Sequence, residues 1–228
     1  MISINNLHVS YGEHQVLKQF TATFNTRQVH GIIGLNGAGK STFFNSMAGY
    51  IKADSGEIVY LNNLLKQQDV GYLETHNYFY PGLTGNDYLN IFNQSNIDFN
   101  LSGLQELFQL PLQELIVNYS TGMKKKLALL AILKQDKPIY LLDEPFNGLD
   151  MEANKVVELI VKQLQQKGKT IFISSHILEP LLHTSNTIHW LVDGYIKQSF
   201  LPNQFTQIEQ EVFGLFKLQA QSIINNAV

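Results

Sequence analysis

Gly34-Leu35-Asn36-Gly37-Ala38-Gly39-Lys40-Ser41-Thr42 decides how this chain is read. The run fits G-x-x-x-x-G-K-[ST], a phosphate-binding loop, which has meaning only between a strand and a helix. Its flanks comply. Val29-His30-Gly31-Ile32-Ile33 is apolar apart from His30 and predicts a buried strand, and Ser41 to Gly49 predicts a helix. Successive amides in such a loop point inward around phosphate oxygens. The following helix adds its positive end, and glycines let the backbone approach closely. Lys40 can reach β- and γ-phosphates, and the Ser41 hydroxyl can hold Mg²⁺.

Outward from the loop, residues 2–9 and 16–24 carry partly alternating apolar positions and predict two strands around a turn at Ser10-Tyr11-Gly12-Glu13-His14. Asn25 to Gln28 turns into the loop strand. Short strands are predicted at 57–61 and 70–73. From Glu74 to Tyr119 aromatics and Asn are dense, with helical pieces at 84–93 and 102–116. This stretch breaks the strand–helix alternation and reads as an inserted helical subdomain. Ser120 to Leu133 predicts a helix capped by Ser120 or Thr121. Ile139-Tyr140-Leu141-Leu142 lacks alternation, as a strand buried on both faces should. Asp150 can cap a helix whose stripe is Ala153, Val156, Val157, Ile160, Val161 and Leu164, stopped at Gly168. A strand at 170–174, a hairpin at 187–198 turning at Asp193-Gly194, and a helical tail from Asn203 with Phe205, Ile208, Val212 and Leu215 complete the pattern.

The 228 residues suffice for one large domain with an insertion. A net charge of −3 argues against a nucleic-acid footprint, so no nucleic-acid partner is expected. The absence of cysteine excludes disulfides and thiolate metal sites and is compatible with a reducing cytoplasm. The N-terminus has no signal-like pattern, and the longest apolar run, Leu127 to Leu133, is far below the roughly 20 residues of a spanning helix. The chain is expected to be soluble and to reach a membrane only through another protein.

Asp143-Glu144 follows the 139–142 run. Two carboxylates at the carboxyl end of a buried strand lie where open α/β sheets bind ligands. Asp143 suits a direct or indirect hold on Mg²⁺. Glu144 can polarise a water for in-line attack on a γ-phosphate.

Together these features resemble the nucleotide-binding subunit of an ATP-binding cassette (ABC) transporter, over about Tyr11 to Asp193. Tyr11, in Val-Ser-Tyr-Gly, resembles the family aromatic that stacks on adenine. Tyr119-Ser120-Thr121-Gly122-Met123-Lys124 resembles the family signature, in the form common among ABC-2-type exporters. Pro145 to Asp150 matches the loop that communicates across the dimer, and Ser174-Ser175-His176 the switch histidine.

The resemblance implies an α/β P-loop NTPase with a mixed, mainly parallel core sheet, an N-terminal antiparallel β subdomain and an inserted α-helical subdomain at about 74–120. It implies one ABC ATPase domain over residues 1–228, with a tail from about 203. ATP and Mg²⁺ are the implied cofactors. Tyr11, residues Gly34 to Thr42, Ser120, Gly122 and Asp150 are the expected nucleotide contacts. Lys40, Glu144 and His176 are expected to act in hydrolysis, and Ser41, Asp143 and Glu74 at the metal. Ser120 and Gly122 serve the partner's ATP in the family, so a second nucleotide-binding subunit is expected head to tail. A separate transmembrane permease is the other expected partner, which places the chain peripherally on the cytoplasmic face of the membrane.

The sequence departs from the family where a Gln normally ligates Mg²⁺. Ungapped, Thr75 takes that place; with a one-residue shift, Glu74 does, and its anionic oxygen suits a hard cation better. Arg27 stands where a turn glycine is common. Tyr119 replaces the usual Leu. Tyr78, Phe79 and Tyr80 either line a permease-docking groove or pack the helical subdomain. Lys124-Lys125-Lys126 reads as a solvated helix face. Histidines other than His176 read as structural. Two other functions fit the same motifs: a single-cassette assembly or clamp ATPase, and a binding module without turnover.

Overall fold

Described by a computed structural model, the chain is placed at residues 1–212, 214 and 224. The strands are β1 (Ile2–Tyr11), β2 (His14–Phe24), β3 (Val29–Ile33), β4 (Ser55–Tyr60), β5 (Asn63–Leu64), β6 (Val70–Leu73), β7 (Ile139–Asp143), β8 (Thr170–Ser175), β9 (Thr187–Val192) and β10 (Tyr195–Phe200). The helices are α1 (Lys40–Met47), α2 (Gly85–Ile91), α3 (Leu101–Phe108), α4 (Thr121–Lys134), α5 (Met151–Gln166) and α6 (Leu178–Thr184). A further helical stretch covers 205–212. Phe205, Ile208 and Val212 of the tail stripe face the core, and Leu215 lies outside the described residues.

One sheet runs β10-β9-β3-β8-β7-β6, parallel throughout except for β10. The other, β2-β1-β4-β5, is antiparallel. The expected mixed core sheet and antiparallel N-terminal sheet are both present. The phosphate-loop strand β3 lies inside the parallel sheet between β8 and β9, so all five of its residues are buried. Alternation along β3 sends its side chains into two cores. Val29 and Ile33 join the core that includes α4, α5 and the helical insertion, whereas Ile32 joins the core between the two sheets.

Phenylalanines fill that second core. Phe20 and Phe43 lie 4.9 Å apart, and Phe24 meets Phe172 edge-on at 5.0 Å. Each such pair contributes about 1 kcal/mol beyond the area it buries. Phe43, Phe44 and Met47 of α1 belong to this core, which presses the helix carrying Lys40 and Ser41 against both sheets.

His30, the polar exception in β3, is buried beside His189 of β9. Its Nε2 lies 2.8 Å from the Asn25 carbonyl, its Nδ1 lies 3.2 Å from His189 Nε2, and His189 Nδ1 lies 2.7 Å from Ser199 Oγ. A carbonyl only accepts, so His30 donates from Nε2 and accepts at Nδ1. His189 then donates from Nε2 and accepts from Ser199 at Nδ1. One carbonyl thus sets both tautomers, and both rings are satisfied while neutral.

Four local readings change. The helix expected at 102–116 stops at Phe108, because Gln109 turns left-handed (φ 52°) and Pro111 follows. Helix α6 carries no stripe long enough to be seen in sequence; its Pro180 falls in the first turn, where a missing N–H costs nothing. Arg27 holds the left-handed turn (φ 62°) that a glycine would adopt freely. The lysine run is not a solvated face. Leu127 to Leu133 makes α4 apolar nearly all round and buried, and Lys125 is buried with it, 4% exposed.

Candidate nucleotide site

The loop between β3 and α1 closes a cavity of about 270 Å³, lined by Asn36, Gly37, Gly39, Lys40, Ser41, Thr42, Thr75, Asp143 and Glu144. Gly39, at the N-cap of α1, has φ 104°, which only glycine adopts without strain. Gly34, Leu35 and Ala38 of the motif support the cavity. Lys40 donates to the carbonyls of Gly34 (2.7 Å) and Leu35 (3.3 Å), and Ala38 is buried. Burial lowers the Lys40 ammonium from its ordinary value, while the carboxylates of Glu144 and Asp143 work the other way.

Asp143 ends β7 in register with Ser174 of β8. Its Oδ1 accepts from the Ser174 hydroxyl. Its Oδ2 accepts from Ser41 Oγ and Thr75 Oγ1, each at 2.8 Å. Two hydroxyls, one from α1 and one from the segment after β6, therefore converge at the Asp143 Oδ2 that ends β7. This donor set fits Mg²⁺, a hard cation that takes oxygen ligands.

Thr75, and not Glu74, reaches this point. The Glu74 side chain instead lines a neighbouring groove with Tyr50, Tyr72, Asn77, Tyr78 and Tyr88. Burial there, and the Asp143 charge, raise its carboxyl above the ordinary range. Glu74, expected at the metal, is thus not among the residues that line the cavity around Asp143, whereas Thr75 is. The chain direction at the end of β6 (Leu73) sends residue 75 toward the sheet's carboxyl edge, and Thr75 bonds Asp143 directly.

Glu144 lines the cavity beyond Asp143, and its Oε2 lies 2.9 Å from His176 Nδ1. His176 follows β8, in a turn where Ser175 Oγ accepts from the Ile177 amide at 2.9 Å. Ser174 was not legible as a site residue. Its hydroxyl meets Asp143 only because β7 and β8 are neighbours, and strand order is written nowhere in local sequence.

Tyr11 is half exposed at the end of β1, paired with His14. It does not line the phosphate cavity, but the ribbon carrying it passes the loop. A Cβ on Gly39 would lie 3.3 Å from Leu17 and 3.4 Å from Val16.

Ser120, Gly122 and Asp150 are not brought to the cavity either. Ser120 caps α4, its Oγ accepting from the Met123 amide at 3.2 Å. Gly122 sits where a Cβ would lie 2.7 Å from the Gly148 carbonyl oxygen. Asp150 caps α5 through the Ala153 amide (2.7 Å) and pairs with Lys126 (3.1 Å). The Ala153 amide first, and Lys126 after it, hold the Asp150 carboxyl below its ordinary value. These residues form a second, exposed tip.

The sequence profile of the ABC transporter family matches residues 17–147, more than half of the chain. The chain belongs to the ABC transporter family. As an ABC ATPase it is a subunit that binds and hydrolyses ATP, and the assembly-factor alternative is not favoured by its relatives. It is 30% identical over 207 residues to the lantibiotic transport ATP-binding protein SrtF of Streptococcus pyogenes, covering 86% of this chain and 89% of SrtF. Among solved structures, the ATP-binding subunit of an ABC transporter matches this cassette with TM-score 0.82 and 25% identity over 94% of both chains. The dimeric cassette MJ0796 in a post-hydrolysis state with ADP and Pi shares the fold, at TM-score 0.77 and 20% identity, over 89% of this cassette and 99% of that chain.

Proposed function

We propose that this ABC ATPase powers a separate membrane permease, that it exports, and that it does so as one of two cassettes joined head to tail on the cytoplasmic face. The carrying observation is the division of the site. The phosphate cavity holds Lys40, Ser41, Thr75, Asp143 and Glu144, while Ser120 and Gly122 line a different, exposed tip. Free amides at the start of α4 are suited to an anion, and a second copy turned by a two-fold axis would offer them one.

Within one cavity the roles follow from chemistry. Amides of Asn36 to Ser41 and the Lys40 ammonium hold phosphate oxygens. Ser41, Thr75 and Asp143 would hold Mg²⁺. When bound, that ion neutralises charge between the β- and γ-phosphates. Glu144 accepts a proton from the attacking water, and His176, 2.9 Å from the Glu144 carboxylate, orients both. Tyr11 stacks on the adenine at the rim.

The export reading rests on the Met-Lys form of the signature and on the Tyr80-Pro81-Gly82-Leu83-Thr84 loop, and the permease interface on Tyr78 and Tyr80. These are 72% and 62% exposed and meet edge-on at 5.3 Å. They stand beside the groove that Glu74 and Tyr50 line. Phe79 instead packs on Tyr88 at 4.8 Å, so the aromatic run divides between surface and subdomain core. Exposed tyrosines at a groove suit a protein interface.

Size-exclusion chromatography of Glu144→Gln, with and without MgATP, tests the two-cassette arrangement. A dimer only with nucleotide is expected, with turnover reduced by about 10² or more. A monomer under both conditions, with ATP bound, would contradict it.

A further inference from the structure

Glu144 stands in a backbone conformation that a glutamate rarely adopts, φ 49°. A left-handed residue of this kind persists only where its surroundings hold it. On one side its amide donates to Ser174, to the carbonyl at 3.2 Å and to Oγ at 3.0 Å. On the other, its carbonyl accepts from the Asn147 amide at 3.2 Å, which closes the turn 144–147. The same carbonyl accepts from the Lys125 ammonium at 2.6 Å. That ammonium also donates to the Asn147 carbonyl at 3.0 Å. Lys125 therefore braces the first and last residues of the turn that aims Glu144.

A lysine ammonium so deeply buried costs solvation, and burial lowers its proton affinity while Glu144 and Asp143 oppose that. The charge is placed against carbonyls of a single turn.

Lys125 belongs to α4, whose N-terminal tip carries Ser120 and Gly122. Two other contacts join the same stretch of α4 to the segment after Glu144: Gly122 beneath the Gly148 carbonyl, and Lys126 on Asp150. The first turns of α4 and residues 144–150 thus form one braced unit.

We propose that Lys125 is a positioning residue for hydrolysis: its ammonium holds Glu144 in its left-handed conformation and ties the aim of that carboxylate to the placement of the signature helix. A shift of α4 when its tip takes the partner's nucleotide then moves the carboxylate at the chain's own nucleotide. This rests on the reading of Glu144 as the base. Lys125 itself lines no part of the phosphate cavity.

The test is steady-state hydrolysis by Lys125→Met, with Lys125→Gln as a second variant, each checked for folding by circular dichroism. Binding of a fluorescent ATP analogue is measured alongside. The expected result is a kcat lowered roughly 10- to 100-fold, the scale of a misplaced catalytic group, with nucleotide affinity within about twofold of the parent. In the Glu144→Gln background, Lys125→Met is expected to slow single-turnover hydrolysis no further, since both act through one group. A kcat within about twofold of the parent in a folded variant would overturn the proposal. So would a parallel loss of affinity, or additive losses in the double variant. Glu144→Gln measured in parallel separates the two readings: full turnover there removes the base assignment, whereas its loss beside an active Lys125→Met removes only the positioning role.

Discussion

The phosphate-loop end and the signature tip of this cassette are built differently. The phosphate loop follows a buried strand, its lysine is buried, and the Asp143 carboxylate beside it is bonded on both oxygens. The signature tip is exposed, with Ser120 spending its oxygen on its own helix cap. One end is complete within a single chain. The other supplies a helix start and a close-packed glycine, and in the proposed two-cassette arrangement it would complete against a second nucleotide-bearing surface. The difference follows burial: what lies at the carboxyl edge of the parallel sheet is prearranged within the chain, and what lies at the helix tip is left exposed.

The largest effect that could break this contrast comes from paired substitutions at the two ends. Lys40→Ala removes a charge-assisted contact and is expected to weaken ATP binding to the monomer by roughly 10- to 100-fold. Gly122→Ala, whose methyl would press on the Gly148 carbonyl, is expected to leave monomer binding unchanged and to weaken ATP-driven dimerisation in the Glu144→Gln background. Isothermal titration and sedimentation velocity read the two. Equal loss of monomer affinity from both would erase the distinction between the ends.

Comparable in size is an acid effect on the scaffold under the phosphate loop. Burial holds His30 at about 4, against its hydrogen bond to Asn25, and burial with His30 alongside holds His189 at about 3. Both lie below the ordinary 6.5, so between these values the unfolded chain binds protons that the folded chain refuses. The stability from the neutral pair is complete above pH 6.5 and is lost as pH falls toward 4, on the order of 3 kcal/mol for His30 alone. Hydrogen exchange at pH 7 and pH 5 checks this: amides of β3 and β9 are expected to open at the lower pH, before those of α4. Unchanged protection of β3 would mean that the pair is not the acid-sensitive element.

The smallest effect sharpens the metal assignment. Thr75→Val keeps the shape but deletes the hydroxyl on Asp143, and is expected to raise the Mg²⁺ concentration for half-maximal hydrolysis severalfold, within the usual range for lost metal support. Glu74→Gln is expected to leave it unchanged, because Glu74 lines the neighbouring groove. A magnesium titration with the opposite ranking would return the role to Glu74.

Much of the phosphate site was legible because its chemistry is local. A glycine loop, a lysine and a hydroxyl within nine consecutive positions can act only together, and Asp143-Glu144 follows an apolar run that only a buried strand explains. Ser120 and Asp150 were legible as caps for the same reason. Thr75 could be weighed but not chosen, since one residue of register decides which side chain faces Asp143. Ser174 was hidden by strand order. Lys125 was hidden among three lysines that look alike in sequence, although the apolar run that follows them left α4 no face on which all three could meet water.

By itself, then, the sequence determined the elements and the phosphate chemistry, because helix and strand periods, caps and a glycine loop are short-range properties of the chain. Only the tertiary structure decided which strand lies beside β7, that Thr75 rather than Glu74 meets Asp143, and that Lys125 is buried on the turn of Glu144. Those depend on contacts between residues 19 to 68 positions apart, where burial and the directionality of hydrogen bonds select one partner among many that are chemically alike.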